Sequence, residues 1–480
     1  MTAAPSSVNG VRHARIDDRP SVEEAEYRGR LAVAIEAARA DLAERAAATT
    51  TVHGRVLFAR PDETDDRMVA GDAAGRELAA ITRDRLTTGL PPLASVVEDR
   101  LRTRALQDAL GRVGILEPYL TDARLEEVVV NRAGRAFAWW ADGTKTAEGR
   151  LFDSDAEVIA LAQRVVRQQG HGGQRLDTKT PMVRVDLPGG DRFVAVLGGE
   201  RAGGVASGPL LSLRRKRLTA PTLDQLVTLD MLPTGAAAQG RVLTRTGVGT
   251  LVSGGMGSGK TTLLAALLAD RNADERVATF ERDVMELNLA AVDESADVVE
   301  FYTRSGNTEG VGEVDLGALI ARARQLRIDR NVVGELVHGP DAWEMLNASS
   351  GATYRSIATL HADDPGIVLD RLAIYCAAHP TRPPVDQINR FIAQTVDVIW
   401  FCELFEHAGR RTRRVTAIRE VGGVTDTGAV ASSDIWTYDP TLDQLIQRRA
   451  WSPGLLERVR RRGLPIDTLL PDQTDGGGLR

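Results

Sequence analysis

The sequence predicts a mainly parallel α/β core, a smaller α+β domain before it and a helical segment at the N-terminus. The core is predicted by four apolar runs without alternation, as expected of strands buried on both faces of a sheet: GTLVSGG, RVATFE, NVVGE and SIATLH. The smaller domain is predicted by hairpin patterns, of which MVRVDLPGGDRFVAVL has a Pro-Gly-Gly turn. Leu31, Ile35, Ala38 and Leu42 share a helical spacing.

These patterns divide the 480 residues into four segments. Residues 1–105 form a helical, partly disordered extension, with a flexible, polar connection expected at residues 59–75. Residues 106–220 form the α+β domain, and residues 221–422 form the α/β core. Residues 423–480 are expected to be a C-terminal extension with a short helix and a loose DQTDGGGLR tail.

The composition narrows the class of protein. A chain that is 43% hydrophobic and 26% charged has the balance of a globular protein of two or three domains. Its net charge of -6 and aromatic content of 4% count against a nucleic-acid binder with a basic, base-stacking surface. No long apolar run and no signal-peptide pattern are present, which predicts a cytoplasmic protein. Cys376 and Cys402 fit no zinc motif and are expected to be buried thiols.

A phosphate-binding loop is the strongest local signal. The stretch from Gly254 to Thr261 reads G-x-x-x-x-G-K-T, directly after an apolar run and before TLLAALLA. Its glycines allow the backbone N–H groups to point at phosphate oxygens, while Lys260 reaches the outer phosphates and the Thr261 hydroxyl reaches Mg²⁺. The candidate nucleotide-binding residues are Gly254, Gly255, Met256, Gly257, Ser258, Gly259, Lys260, Thr261 and Thr262.

Two carboxylates at strand ends are candidates for nucleotide hydrolysis. RVATFE ends in Glu281 and NVVGE ends in Glu335, so both are expected at the carboxyl edge of the sheet, where ligands of such sheets bind. Hydrolysis requires one carboxylate near Mg²⁺ and one that orients the attacking water. Asp283 and Glu286 are alternatives, and an acidic strand end can also be a helix cap or a solvated loop residue.

The order of motifs resembles that of the type II/IV secretion-system ATPases, most closely the branch that powers Tad/Flp pilus assembly. The motifs are SGGMGSGKTTLL, TFERDVMEL, DRNVVGE and TLHADDP, with LEEVVVN and PLLSLRR upstream, and they extend over residues 106–422. The resemblance implies a RecA-like P-loop NTPase core, ATP and Mg²⁺ as cofactors, and a homohexameric ring. It also implies inner-membrane platform proteins of a pilus or secretion machine as partners, which would place the protein at the inner face of the membrane.

The same resemblance assigns roles to site residues. Lys260 and Thr261 would bind phosphate and Mg²⁺, Glu335 would support the metal, and Glu281 would activate water. His361, which closes the run SIATLH, would contact or sense the terminal phosphate. The N-terminal domain would supply arginines to the nucleotide, either within one chain or across a subunit boundary. For at least one of them, the alternative is a solvated basic rim. The candidates are Arg192, Arg214 and Arg215.

The chain also departs from the family pattern. Arg282 stands where the family has a second acid, Val337 where it has an arginine after the Walker B glutamate, and Gln325 where an arginine is common. These departures imply a divergent subfamily, altered coupling between subunits or slow hydrolysis. The leading hypothesis is a motor ATPase for pilus assembly or protein secretion. The alternatives are a nucleotide-binding assembly subunit with little turnover and a conjugation-type ATPase that transfers DNA.

Overall fold

The computed structural model describes most of the chain and divides it into two compact units. The described residues are 22–48, 51–52, 55–56, 63–110, 113–169, 175–187, 190–199, 204–216, 220–282, 287, 289, 293, 295–304, 312–407 and 410–471. The first unit comprises Met1–Trp140, Lys145–Leu187 and Asp191–Arg215, and the second comprises Ala141–Thr144, Pro188–Gly190 and Lys216–Arg480. In the described ranges, no helix is both long enough and apolar enough to span a bilayer.

The first unit begins with three helices that share one core. They are α1 (Val22–Ala48), α2 (Glu63–Thr87) and α3 (Ser95–Leu110), and a pair of two-residue strands, β1 (Thr51–Val52) and β2 (Arg55–Val56), lies between α1 and α2. The predicted helix face is confirmed, since Leu31 and Ile35 are fully buried. The prediction of a flexible connection at residues 59–75 was wrong from Glu63 onward, because α2 begins there. Ala70, Ala74 and Ile81 are buried at helical spacing, a period that the Gly- and Asp-rich composition conceals.

The remainder of the first unit is an antiparallel sheet with a helix on its apolar face. Its elements are α4 (Glu117–Thr121), β3 (Leu125–Asn131), β4 (Ala136–Trp140), β5 (Lys145–Gly149), α5 (Asp155–Gln169), β6 (Met182–Asp186), β7 (Arg192–Val196) and β8 (Leu210–Arg214). The sheet order is β5-β4-β3-β8-β7-β6. Alternating residues such as Val128, Phe193 and Leu213 are buried, which confirms the predicted hairpins.

The second unit is built on a nine-stranded sheet. Its elements are α6 (Leu223–Thr228), α7 (Thr234–Thr246), β9 (Thr250–Gly254), α8 (Lys260–Ala269), β10 (Val277–Glu281), β11 (Val298–Tyr302), α9 (Leu316–Ala323), β12 (Arg330–Leu336), α10 (Gly339–Ser349), β13 (Ile357–His361), α11 (Val368–Ala377), α12 (Val385–Thr395), β14 (Val398–His407), β15 (Arg410–Val424), β16 (Val430–Asp439), β17 (Gln444–Gln447) and α13 (Pro453–Arg461). The order is β11-β10-β12-β13-β9-β14-β15-β16-β17.

The centre of this sheet has the predicted RecA-like arrangement. The strands β11, β10, β12, β13, β9 and β14 pair in parallel. Strand β13 lies between β9, which leads into the phosphate loop, and β12. All residues of β9 and β10 are buried, so their lack of alternation reflects helices on both faces of the sheet.

The C-terminal residues extend the same sheet. Strand β15 continues to Val424, β16 pairs antiparallel with β15, and β17 pairs antiparallel with β16, so the strands of the predicted C-terminal extension belong to the sheet of this unit. Trp436, Trp451 and Leu455 are buried in the core of this unit. The short helix predicted near the end is α13, and the DQTDGGGLR tail lies outside the described residues.

Candidate functional site

The predicted site residues meet at one edge of the parallel sheet. Strands β10, β12, β13 and β9 are neighbours in that order, and their carboxyl ends carry Glu281, Glu335, His361 and Gly254. His361 lies opposite Gly254 in the register of β13 with β9. The fold therefore brings together four groups, of which the two most distant in the sequence, Gly254 and His361, are 107 positions apart.

The phosphate loop needs glycine where the sequence has it. At Gly254 a Cβ atom would lie 2.0 Å from the carbonyl oxygen of Cys402, and Gly259 has a φ of 94°, in the left-handed region. The carbonyl oxygen of Gly255 accepts hydrogen bonds from the Ser258 hydroxyl at 2.9 Å and from Lys260 Nζ at 2.8 Å. The loop thus folds around the Gly255 carbonyl and leads directly into α8.

Lys260, His361 and Glu335 form one continuous chain of polar contacts. Lys260 Nζ lies 3.2 Å from His361 Nδ1, and His361 Nε2 lies 2.7 Å from Glu335 Oε1. Lys260 is only 7% exposed, and this burial lowers its pKa, an effect that the negative charge of Glu335 opposes. A single imidazole ring therefore connects the lysine to the Glu335 carboxylate.

A bulge in β12 gives Glu335 its position. Val333 pairs with Ala358 and Leu336 pairs with Leu360, so Gly334 and Glu335 together face the single residue Thr359. The Thr359 hydroxyl donates a hydrogen bond to the Gly334 carbonyl oxygen. A bulge of this kind redirects a side chain at a strand end, and here it accompanies the contact of Glu335 with His361.

Glu281 has a more enclosed environment than Glu335. Its carboxylate accepts the backbone N–H of Leu287 at 3.1 and 3.2 Å, and the residue is 4% exposed, whereas the Glu335 side chain is 41% exposed. A Cβ atom at Gly334 would lie 3.0 Å from Glu281 Cγ, so the glycine admits the carboxylate beside β12. The alternative carboxylates, Asp283 and Glu286, lie outside the described residues.

Arg282, one of the departures from the family pattern, has a buried partner. It forms an ion pair with Asp341, which is 2% exposed and lies in the first turn of α10, the helix after β12. Burial raises the pKa of Asp341, and the Arg282 charge opposes that rise. The ion pair connects the residue after Glu281 to the helix that follows Glu335, and it is a contact that the sequence did not reveal.

Arg413 is a second contact that sequence reasoning missed. It lies on β15, and its Nε donates a hydrogen bond of 2.8 Å to the carbonyl oxygen of Gly257. In the run RRTRR, alternation places Arg411 and Arg413 on one side of the strand, which was the available signal. That signal does not say which loop the side chain reaches, since 156 residues separate the two partners.

The arginines predicted in the N-terminal domain cluster within the first unit. Arg192 on β7 lies opposite Arg214 on β8, and the backbone N–H of Arg215 bonds to the Glu126 carbonyl. Burial, together with the charges of Arg184 and Arg214, lowers the pKa of Arg192 to about 10. A cluster of arginines can bind an anion. Contact of these arginines with the nucleotide stays a prediction.

The residues fit Mg²⁺ as a complex with a nucleotide. Among the described residues, no group of three or more His, Cys, Asp or Glu side chains could hold a metal by itself. Mg²⁺ is commonly held by one or two protein oxygens together with substrate phosphates and water. Thr261, in the first turn of α8, and the half-exposed Glu335 offer oxygens of this type.

Comparison with known proteins shows the family of this chain. Residues 110–462 match the family model described as type II/IV secretion system protein. A putative conjugal transfer protein of Mycobacterium tuberculosis is 30% identical over 351 residues, which covers 72% of this chain and 96% of that protein. The conjugal transfer protein TrbB of Rhizobium radiobacter is 30% identical over 320 residues, 66% of this chain and 90% of that protein.

A solved structure is similar at lower identity. The VirB11 ATPase from the type IV secretion system of Brucella suis is 22% identical with a TM-score of 0.32, over 66% of this chain and 94% of that one. Likeness at this level supports no statement about activity. The match to the family model spans more than half of the chain and includes every strand of the site. The chain therefore belongs to the type II/IV secretion system protein family.

Proposed function

We propose that this protein is an ATP-hydrolysing motor subunit of a secretion or pilus-assembly machine. The observation that carries the proposal is the contact chain from Lys260 through His361 to Glu335, at 3.2 and 2.7 Å. A structural phosphate site needs the loop and the lysine alone. The added histidine and carboxylates at neighbouring strand ends supply what hydrolysis needs.

The proposed reaction transfers the terminal phosphoryl group of ATP to water. The water oxygen forms a bond to the γ-phosphorus, the bond from that phosphorus to the β–γ bridging oxygen breaks, and Glu281 takes the proton that the water loses. Lys260 and the loop N–H groups hold the phosphate oxygens against the charge that develops. His361 links the state of the phosphate to Glu335 because it contacts both Lys260 and that carboxylate.

The unequal exposure of the two carboxylates supports these roles. Glu281 is 4% exposed, and surroundings that exclude bulk water suit a group that acts on one ordered water. The Glu335 side chain is 41% exposed and, with Thr261, would hold Mg²⁺ through its water shell. Bound Mg²⁺ would supply electrostatic stabilisation of the charge that develops on the phosphate oxygens.

We infer the machine that this motor serves from the sequence motifs and from the relatives. The sequence motifs favour the Tad/Flp pilus-assembly branch, and the two relatives described above are named as conjugal transfer proteins. The family resemblance implies a homohexameric ring that works on inner-membrane platform proteins from the cytoplasmic side. We infer the same ring for this chain, and mass photometry with and without ATP would test it.

DNA transfer is the second candidate function. The names of the relatives support DNA transfer as much as the sequence motifs support pilus assembly. The net charge of -6, in contrast, gives the protein no overall attraction to DNA. The two functions differ in their response to DNA. Stimulation of ATP hydrolysis by single- or double-stranded DNA would support transfer, and an unchanged rate would favour pilus assembly or protein secretion.

The test of the ATPase assignment uses purified full-length protein. Lys260→Ala should abolish ATP binding, and Glu335→Gln should retain binding while lowering the hydrolysis rate by about 10²–10⁴-fold, the usual worth of a positioned catalytic group. Lys179→Ala, at an exposed lysine in the first unit, is the matched control and should leave the rate unchanged. Full activity in Glu335→Gln would contradict the assignment.

The low-turnover alternative has a distinct signature. An assembly subunit that uses nucleotide occupancy alone would bind ATP tightly and form no product in a single-turnover experiment. Arg282, one departure from the family pattern, forms an ion pair with the buried Asp341 in this chain. That pairing supports a complete site, and a measurable single-turnover rate is the expected result.

A further inference from the structure

A second concave site lies in the same unit as the phosphate loop. It is a cavity of about 240 Å³ whose lining includes Gly247, Thr353 and four arginines: Arg355, Arg458, Arg461 and Arg462. The cavity therefore concentrates guanidinium groups although the whole protein has a net charge of -6. Guanidinium forks match the geometry of phosphate and carboxylate oxygens.

The cavity is separate from the nucleotide site. Gly247 comes just before β9, and Thr353 and Arg355 come just before β13. These strands run in parallel toward the phosphate loop and His361, so the cavity lies at the opposite edge of the sheet. A five-residue strand spans about 17 Å at its usual rise per residue, which excludes a ligand shared by the two sites.

Two of the arginines are fixed by a buried carboxylate. One oxygen of Asp397 accepts hydrogen bonds from Arg355 Nη1 at 2.6 Å and from Arg458 Nη2 at 2.7 Å. Its other oxygen accepts the backbone N–H of Gly249 at 2.7 Å, and the Asp397 side chain is 8% exposed. This anchoring orders both guanidinium groups at the cavity before any ligand arrives, which lowers the entropic cost of binding.

The other two arginines are positioned from α13 and the residue after it. Arg462 Nη2 donates a hydrogen bond of 2.8 Å to the Thr353 carbonyl oxygen, and its guanidinium lies over the Tyr354 ring at 5.1 Å. Arg461 Nε lies 3.1 Å from Glu457. Asp397 and Glu457 offset two of the four positive charges, so the cavity keeps a surplus of about two charges.

We propose that this cavity binds a phosphate group, either as a free phosphate compound or as the phosphate monoester headgroup of a lipid. A phosphate monoester carries nearly two negative charges at neutral pH, which equals the surplus at the cavity. Its three terminal oxygens also provide enough acceptors for several guanidinium donors, whereas a carboxylate has two oxygens and one charge.

The test compares neighbouring arginines on α13 in the Lys260→Ala background, which removes the lysine of the nucleotide site. Arg461→Gln changes the cavity, and Arg460→Gln is the matched control, because Arg460 pairs with the same Glu457 at 2.7 Å but does not line the cavity. Both side chains are exposed, at 77% and 63%, so both variants should fold. Binding of inorganic phosphate to the full chain is followed by phosphorus NMR titration.

The expected result is that Arg461→Gln weakens phosphate binding by about tenfold, the usual worth of a hydrogen bond to a charged group, while Arg460→Gln matches the parent protein. Sedimentation with phosphatidylcholine vesicles, with and without phosphatidic acid, separates the two sources. Binding to phosphatidic acid vesicles that depends on Arg461 assigns the site to a lipid headgroup, and phosphate binding without it assigns a soluble compound. Equal phosphate affinities of the two variants, or no binding to the parent protein, would overturn the proposal.

Discussion

The two ends of strand β12 carry pairs of ionisable side chains that differ in burial. At its start, Arg330 forms an ion pair with Glu275 at 2.8 Å, and both side chains are 0% exposed. At its end, Glu335 contacts His361 at 2.7 Å, and both side chains are about 40% exposed, at 41% and 38%. The first pair is enclosed by protein and has no space for a substrate. The second contacts Lys260 of the phosphate loop, so burial separates a pair enclosed in the fold from the pair that we propose takes part in hydrolysis.

The largest effect is expected at the enclosed pair. Glu275→Gln removes the only carboxylate that Arg330 pairs with among the described residues, and it leaves a buried positive charge. Loss of one partner in such a pair typically lowers the free energy of unfolding by about 3–5 kcal/mol. Chemical denaturation would measure the change.

The matched control for Glu275→Gln is an exposed ion pair. Glu457→Gln removes a surface carboxylate that pairs with Arg460 and Arg461, and because water and salt screen such a pair, the free energy of unfolding should hardly change. Equal losses in the two variants would contradict the distinction between the two ends of β12.

A smaller effect is expected at the pair that links Arg282 to α10. Asp341→Asn leaves Arg282 without its charged partner, which should lower the free energy of unfolding by about 1–3 kcal/mol. Because Arg282 follows Glu281 directly, we also expect a lower kcat with an unchanged KM for ATP. A variant that loses stability but keeps kcat would show that the pair supports only the fold.

The smallest effect is a pH dependence at Lys260. Since burial lowers its pKa, Lys260 loses its proton at a pH below the ordinary lysine value of about 10.4. The unfolded chain then binds more protons, so stability rises with pH within that window, while affinity for ATP falls because the phosphate loses a positive partner. Calorimetric titration of ATP should show a dissociation constant that rises with pH, and Lys260→Arg should flatten the curve.

Local patterns in the sequence predicted the central strands and the phosphate loop. Both depend on short-range features: apolar runs such as GTLVSGG and glycines at fixed spacing. The parallel α/β class of the core followed from the apolar runs and from the family resemblance, whereas the order of its strands was not predicted. The identity of the strand-end groups, Glu281, Glu335 and His361, followed in the same way, and their roles stay predictions.

The remaining features depend on contacts between distant residues. Gly334 in the run NVVGE is compatible with a bulge, but the bulge is defined only by the pairing of β12 with β13. The Arg413 contact with Gly257 depends on the pairing of β15 with β14, which in turn pairs with β9. Strands β16 and β17 were missed because their exposed positions are polar, as at Ser433, Asp434 and Gln444, and because the buried Ile435 and Trp436 are consecutive and so show no alternation.

The most direct test of the account is single-turnover hydrolysis by His361→Ala, together with its affinity for ATP. His361 touches both Lys260 and Glu335, and it is 38% exposed at the side chain, so its loss should leave the fold intact. We expect ATP affinity to stay within about twofold and the hydrolysis rate to fall by about 10²-fold, the lower range for a group that acts in proton transfer or its positioning. An unchanged hydrolysis rate would contradict the claim that the Lys260–His361–Glu335 chain is part of a catalytic site.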